Sequence, residues 1–317
     1  MNSVSNIRCN PCYSAMLMLS LFFISMSCDE DEKRIDTTDD TTEMPTTESP
    51  EVPSGPRICE DCTVFDFNGV QREYLLHIPD SLPKNAPLVF LLHGSGGKAV
   101  NFQGWLAMDP IADTEGFAVA YPQGVVADDE GTHWNAGLSI STVDDVGFLS
   151  ALAQYLQTEY SLNPEKTFVS GYSNGGFMGY ELLAERPDVF KAAASFNGTM
   201  SGKTWENRNE IPPAPVLQLS GALDPVIPID GSRSTAGGWG GAPDMETVMD
   251  FWADLNECAI SETIRINQNT VARKYTDGID GNEVWYYLLD DFGHEFPLGE
   301  DGNINTAELV WEFFSKY

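Results

Sequence analysis

The alternation of apolar and polar positions predicts that the fold begins with a β-hairpin. Residues 63–67 and 70–78 alternate in character around Asn68-Gly69, a dipeptide that favours a tight hairpin turn. The next apolar run, residues 87–92, is continuous, which is typical of a strand buried on both faces. Further buried strands are predicted at residues 117–121, 167–170, 190–196 and 216–220.

Segments with helical spacing of apolar residues lie between and after these strands. Asp144 is placed to cap a helix predicted over residues 144–160, and the helix after residue 173 should stop at Pro187. Later helices are predicted at residues 244–257 and 305–315, and a further strand pair at 270–276 and 283–289. Strands alternating with helices predict an α/β domain whose mostly parallel sheet is opened by an antiparallel hairpin.

Residues 1–28 have the pattern of an export signal. Arg8 is the only charge, and the apolar run at residues 15–27 is short for a membrane span. It ends at Cys28 in a pattern resembling a bacterial lipoprotein cleavage site, which predicts a lipid on Cys28 as the only contact with a membrane. Ser25 departs from that pattern, so ordinary cleavage and a plain membrane anchor are alternatives. All predict export, to the outer membrane or cell surface, or as a secreted or periplasmic protein.

Residues 29–58 are predicted to be a disordered linker, and residues 59–317 the catalytic domain. The linker is rich in Asp, Glu, Thr, Ser and Pro, so it buries too little apolar surface to offset the entropy of ordering. Its acidic start, residues 29–32, resembles the export tag of surface-displayed lipoproteins in some Gram-negative bacteria. A solvated run of charges explains those residues equally well.

The net charge limits the binding partners that are expected, and the cysteines limit the possible disulfides and metal sites. The 317 residues carry a formal net charge of −31, which makes nucleic acid and anionic membrane surfaces poor partners. Of six cysteines, only Cys59, Cys62 and Cys258 lie beyond the signal and its lipidation site. In an oxidising compartment one disulfide is expected among these three, with the pairing undecided. No second Cys or His pair stands near Cys59 and Cys62 to complete a zinc site.

The central motif is G-x-S-x-G at residues 171–175. It follows a predicted strand and begins a predicted helix, which is the setting of a nucleophile elbow. The turn is so sharp that a side chain two residues either side of Ser173 would collide with it, which explains the two glycines. A simple Gly/Ser turn is the alternative. A serine nucleophile needs a base, and His294 is the only histidine after Ser173.

The acid of the triad and the N–H donors of the oxyanion hole are predicted from the residues that come after buried strands. Asp224 comes directly after the strand at residues 216–220, whereas Asp290 and Asp291 share a loop with His294, so Asp224 is the preferred acid. Two backbone N–H groups should stabilise the oxyanion, from Asn174 and from Ser95. His93, which opens the loop containing Ser95, is expected to pack beneath that loop.

These motifs together resemble one esterase family. From about residue 62 onward the chain is similar to the α/β-hydrolase esterases of the polyhydroxybutyrate depolymerase and feruloyl/acetylxylan esterase group, carbohydrate esterase family one. The matching segments are 93–97, 121–124, 134–135, 143–148, 171–176, 221–228, 252–258 and 293–294.

The resemblance implies the α/β-hydrolase fold with helices on both faces of the sheet. The family's nucleophile, acid and base fall on Ser173, Asp224 and His294, and neither a metal nor a cofactor is implied. The sequence departs from the family after His294, where residues 295–297 replace a stretch with Trp-Pro-Gly. That departure affects the local pocket wall. Walls for an aromatic acyl group could come from Trp134, Trp239 and Phe296, for which ordinary packing is the alternative.

Three functions are compatible with the sequence. The first is an exported serine esterase that removes feruloyl or acetyl groups from a plant cell-wall polysaccharide or oligosaccharide. The second is a polyester depolymerase, which would be expected to carry an additional module for gripping solid polymer. The third is an anchored binding protein on a dead hydrolase fold, and the complete triad argues against it.

Overall fold

The computed structural model describes residues 57–126, 131–296 and 304–317, all within a unit that spans residues 52–317. The predicted signal, Cys28 and the linker up to residue 56 lie outside the described residues, so they remain predictions. Within the described ranges, the helices are too short or too polar for any of them to cross a membrane.

The described residues form strands of two to eight residues. They are β1 (Thr63–Phe67), β2 (Val70–His77), β3 (Leu88–Leu92), β4 (Ala118–Gln123), β5 (Val125–Val126), β6 (Thr132–His133), β7 (Thr167–Tyr172), β8 (Ala192–Phe196), β9 (Val216–Gly221), β10 (Ile260–Asn267), β11 (Thr270–Thr276) and β12 (Val284–Leu289). Ten of them form one sheet in the order β1-β2-β4-β3-β7-β8-β9-β12-β11-β10, and β5 pairs with β6 separately. The six central strands, β4 to β12 in this order, run parallel, and antiparallel strands flank them. The predicted sheet type is therefore confirmed.

Helices cover both faces of this sheet. They are α1 (Ala99–Leu106), α2 (Asp109–Glu115), α3 (Asp145–Glu159), α4 (Asn174–Glu185), α5 (Gly202–Glu206), α6 (Met245–Leu255) and α7 (Thr306–Phe314). One core contains α3, α4 and α6, and the other contains α1, α2 and α7. Phe90 of β3 packs into the first core against Phe190, while Phe168 of β7 stacks on Phe314 in the second. Each such buried ring stabilises the fold by roughly 1.5–3 kcal/mol.

The apolar pattern predicted the longer buried elements and missed several others. The α3 prediction is confirmed together with its cap, because an Asp144 carboxylate oxygen accepts the Gly147 N–H at 2.8 Å. β10 was not predicted, since it is a mostly exposed edge strand without a clear apolar face. α1 was also missed, and no side chain caps its start.

The cysteine pairing that the sequence left open is fixed by the fold. Cys59 and Cys62 form a disulfide, and Cys258 is a free thiol. The bridged turn is held to β2 because the Glu73 carboxylate accepts the backbone N–H groups of Ile58 and Cys59, both at 3.0 Å. The two bridged cysteines therefore fasten the start of the described chain to the sheet.

Candidate active site

Ser173 stands between β7 and α4 in a strained backbone conformation. Its φ is 53° and its ψ is −116°, a combination that non-glycine residues seldom adopt. The Ser173 N–H donates to the carbonyl of Phe196 at the end of the neighbouring strand β8, over 2.7 Å. The turn is thus held from the adjacent strand and presents the serine at the carboxyl edge of the sheet.

Both glycines of the G-x-S-x-G motif are required by close backbone packing. A Cβ atom at Gly171 would overlap the backbone of Gly175, which is the collision expected across a sharp turn. A Cβ atom at Gly175 would instead overlap the carbonyl of Leu92. Gly175 is therefore required because it lies against the end of β3, and not because of crowding around Ser173 itself.

The structure brings Ser173, His294 and Asp224 into one hydrogen-bonded chain. Nε2 of His294 lies 2.9 Å from Oγ of Ser173, and Nδ1 of His294 lies 2.7 Å from Oδ2 of Asp224. Ser173 follows β7 directly, Asp224 follows β9, and His294 follows β12. Such a chain can pass the serine proton to the imidazole while the carboxylate orients the ring.

The Asp224 carboxylate is buried and fully engaged. Its Oδ1 accepts the backbone N–H groups of Val226 and Ile227, each at 2.8 Å. Burial by itself would raise the pKa of Asp224. The hydrogen bonds from His294 and from these two N–H groups outweigh burial, so its pKa lies below the ordinary value. The group is therefore charged at neutral pH and able to stabilise an imidazolium.

Asp290 and Asp291, the two alternative acids, lie in environments that differ from that of Asp224. Asp290 Oδ2 lies 3.3 Å from the Arg265 guanidinium, and Asp291 is exposed. The Nδ1 atom of His294 already lies against Asp224. The geometry thus favours the acid that the sequence preferred.

The two segments that carry the expected oxyanion donors flank Ser173. Asn174 is the first residue of α4, where backbone N–H groups point out of the helix. On the other side, a Cβ atom built on Gly94 would lie 3.4 Å from the Ser173 Cβ, so this loop runs directly against the serine. Ser95, the next residue, is exposed.

His93 is placed beneath that loop, as expected for a packing role. It is buried, with Nδ1 lying 2.7 Å from the Gly94 carbonyl and Nε2 accepting the Gly124 N–H at 2.9 Å. Burial lowers the pKa of His93 to about 4; the hydrogen bond to the Gly94 carbonyl opposes this shift, and the nearby His133 adds to it. The ring is therefore neutral at physiological pH, with its proton on Nδ1.

The structure corrects one predicted substrate contact. Trp134 has no exposed surface, because it packs against His93 and its indole N–H donates to the His93 carbonyl at 2.9 Å. It cannot form a pocket wall in this arrangement. Phe296 is partly buried and meets the Tyr172 ring edge-on, two residues from His294.

Trp239 borders a narrow cavity near Asp224. The cavity is also lined by Ile227, whose N–H binds Asp224, and by Arg233, whose guanidinium lies 5.0 Å from the Trp239 ring. Its volume of about 10 Å³ admits no more than one water molecule. An acyl group larger than that would have to displace these side chains.

Asn197 is a site residue that the sequence reasoning missed. Its Nδ2 donates to the carbonyls of Gly293 and Glu295, at 3.3 and 3.0 Å, which flank His294. Its Oδ1 accepts the Gly221 N–H at 2.9 Å, at the end of the strand before Asp224. One side chain therefore joins the loop that carries His294 to the strand that precedes Asp224. An Asn directly after a predicted strand and before a glycine was the available signal.

Tyr172 contacts His294 from the other side. Its hydroxyl donates to the His294 carbonyl, and its ring lies 5.4 Å from the imidazole. Burial, reinforced by Asp224 and Glu295, raises the pKa of Tyr172 to about 12, so the hydroxyl stays protonated as a donor. Among the described residues, no three His, Cys, Asp or Glu side chains are grouped so as to hold a metal ion.

The chain is similar to several known proteins over part or most of its length. The profile of the prolyl oligopeptidase family matches residues 107–225. A protein named as an esterase, NocK of Nocardia uniformis subsp. tsuyamanensis, is 34% identical over 166 residues, which are 51% of this chain and 48% of that protein. This chain thus matches about half the length of that relative.

Longer matches lie among fungal enzymes. Feruloyl esterase C of Emericella nidulans is 27% identical over 261 residues, covering 79% of this chain and 86% of that enzyme. The structure of an acetyl xylan esterase from Aspergillus awamori superposes with a TM-score of 0.59 over 78% of this chain and 94% of the other, at 15% identity. That structural likeness establishes the shared fold.

Proposed function

We propose, from the premise that this chain is a carboxylic ester hydrolase with the α/β-hydrolase fold, that Ser173, His294 and Asp224 act as its catalytic triad. The observation that carries the proposal is the continuous chain of 2.9 and 2.7 Å contacts from Ser173 Oγ through the imidazole to Asp224. A serine hydroxyl without such a base is too weakly nucleophilic at neutral pH.

The reaction runs through an acyl-enzyme. Ser173 Oγ attacks the ester carbonyl as its proton passes to His294 Nε2, and Asp224 stabilises the imidazolium. The backbone N–H groups of Asn174 and Ser95 donate to the oxyanion. When the ester C–O bond breaks, His294 gives its proton to the leaving alcohol. Water, activated by the same imidazole, then attacks the acyl group and releases the acid.

The substrate we propose is a feruloyl or acetyl ester of a plant cell-wall polysaccharide such as xylan. The names of the fungal relatives, a feruloyl esterase and an acetyl xylan esterase, support this class. Phe296 lies two residues from His294 and partly exposed, where an acyl ring could contact it. The His294 side chain is partly exposed, so the polar alcohol of a sugar can leave from it into solvent.

The test is a substrate panel: methyl ferulate, acetylated xylan, hydroxybutyrate oligomers and a peptide p-nitroanilide, each with the Ser173→Ala variant as control. Hydrolysis of methyl ferulate or acetylated xylan that disappears in the variant is expected. Faster turnover of hydroxybutyrate oligomers would make the protein a polyester depolymerase. Faster cleavage of the anilide would make it a peptidase, and no cleavage of any ester would leave an anchored binding protein.

We further propose that the protein is exported and anchored through lipid on Cys28. The apolar run ends in Ser-Met-Ser-Cys, and an acidic segment follows at once. Stable attachment takes two or more acyl chains, which a lipoprotein has. Mass spectrometry of the mature amino terminus should find a lipidated Cys28, and Cys28→Ser should release the enzyme or block its processing. An unmodified terminus beyond Cys28 would contradict the anchor.

A further inference from the structure

The segment around β6 joins the two sides of the candidate oxyanion hole, and its first set of contacts is to the loop after β3. The Gly96 N–H donates to the Thr132 carbonyl at 2.6 Å, and the Thr132 hydroxyl donates to the Gly97 carbonyl at 2.6 Å. The indole N–H of Trp134 donates to the His93 carbonyl at 2.9 Å. This loop, which contains Ser95, is thereby held at three points by residues 132–134.

The same segment binds the first residue of α4. The side-chain Oδ1 of Asn174 accepts the Trp134 backbone N–H at 2.6 Å, and its Nδ2 donates to the Trp134 carbonyl at 2.9 Å. Asn174 is fully buried. The residue whose backbone N–H is the proposed oxyanion donor is thus clamped by its own side chain to the main chain of Trp134.

Trp134 is in turn held in place by residues outside the candidate site. The N–H of its neighbour Asn135 donates to Asp145 Oδ2 at 2.7 Å, and Asp145 Oδ1 binds the Arg72 guanidinium at 2.5 Å. Arg72 and Asp145 are 2% and 1% exposed, and the guanidinium also lies over the Phe148 ring at 3.8 Å. A buried, paired charge of this kind does not move readily, because separating it would leave each partner unpaired.

We infer that Trp134 is a positioning residue: its indole N–H and main chain set the separation between the N–H groups of Ser95 and Asn174. The inference rests on the proposed function, in which these groups stabilise an oxyanion. Such donors act only if they are held where the charge develops, and a misplacement of about 1 Å can lower the rate roughly 100-fold. Trp134 contacts no substrate and acts through the two donors.

The decisive variant is Trp134→Phe, which keeps an aromatic ring and the main-chain bonds to Asn174 but removes the indole N–H that binds His93. The chain offers a matched control in Trp252, which is also fully buried. Its indole nitrogen has no hydrogen-bond partner within the described residues, and its ring packs on Tyr180. Trp252→Phe therefore removes a buried indole N–H without removing a bond.

Two quantities should be measured: kcat/KM on p-nitrophenyl acetate, and the dissociation constant of phenylboronic acid. The boronic acid takes the electron pair of Ser173 Oγ as the serine proton passes to His294, and its tetrahedral anion mimics the oxyanion. In Trp134→Phe we expect kcat/KM to fall by about 10- to 100-fold, and phenylboronic acid to bind more weakly by the same factor. Trp252→Phe should change neither quantity, whatever its melting temperature.

Asn174→Ala gives a second route, because it breaks both bonds to Trp134 while keeping the backbone N–H. It should weaken phenylboronic acid binding by a similar factor, and it decides the question if Trp134→Phe does not fold. Unchanged boronate binding in both folded variants, or an equal loss in Trp252→Phe, would overturn the inference. An active Ser173→Ala variant would instead overturn the proposed function, so the two failures are distinguishable.

Discussion

Oδ2 of Asp224 lies 2.7 Å from Nδ1 of His294, although the two residues are 70 positions apart in sequence. They meet because β9 and β12 are neighbouring parallel strands, paired in register up to Gly221 and Leu289. The loops that follow each strand therefore start side by side at the carboxyl edge of the sheet. The proposed acid and base are brought together by strand order rather than by any local motif.

This contact predicts that kcat is more sensitive to substitution of Asp224 than to substitution of Asp290 or Asp291. Asp224→Asn should lower kcat on the order of 10⁴-fold, because an amide neither stabilises the imidazolium nor selects the correct tautomer. Asp290→Asn and Asp291→Asn should stay within a few-fold of the parent enzyme, since Asp290 pairs with Arg265 and Asp291 is exposed. Steady-state kinetics on p-nitrophenyl acetate check this. Greater sensitivity at Asp290 or Asp291 would reassign the acid.

Ser173→Ala should remove almost all activity and leave the fold intact. Loss of a serine nucleophile costs on the order of 10⁶-fold in kcat in a comparable triad enzyme. Alanine occupies the strained turn as well as serine does, so the melting temperature should change little. Circular dichroism on the inactive variant provides the control. Near-normal turnover would show that the hydroxyl at residue 173 is not the nucleophile.

The sequence predicted most of the buried sheet and the three residues of the proposed triad. Continuous apolar runs mark central strands, and polar residues in the loops that follow them, such as Asp224, fall at one edge by topology alone. What could not be predicted depends on contacts distant in sequence. The buried position of Trp134 is set by His93 and Asn174, and no local pattern separates it from a partly exposed tryptophan such as Trp239.

Asn197 should prove important for both stability and catalysis. Asn197→Ala leaves the carbonyls of Gly293 and Glu295 and the N–H of Gly221 without this partner. Each buried group left unpaired costs about 1–3 kcal/mol, and the loop of His294 becomes free to shift. We expect a lower melting temperature and a fall in kcat of about 10- to 100-fold.

Asn197→Asp tests the acceptor role and the donor role of this side chain separately. The carboxylate can still accept from Gly221 but cannot donate to the two carbonyls around His294. Its kcat should therefore fall about as far as that of Asn197→Ala. Equal and near-normal kcat in both variants would show that the asparagine only stabilises the strand end. Kinetics and thermal unfolding should be measured on the same preparations.

The buried imidazole of His93 should make stability depend on pH. Its pKa is about 4 in the folded protein, against an ordinary value of 6.5. Between these values the unfolded chain binds a proton that the native protein does not, so the free energy of unfolding falls as the pH drops from 6.5 towards 4. The slope from this one group approaches about 1.4 kcal/mol per pH unit, for a total of about 3 kcal/mol.

The variant His93→Gln tests this dependence, because glutamine retains an acceptor for the Gly124 N–H and does not titrate. Urea unfolding at several pH values between 7 and 4 should give a flatter curve for the variant than for the parent protein. The difference between the two curves isolates His93, since every other titrating group is common to both. Curves that stay parallel down to pH 4 would show that His93 is protonated in the native state.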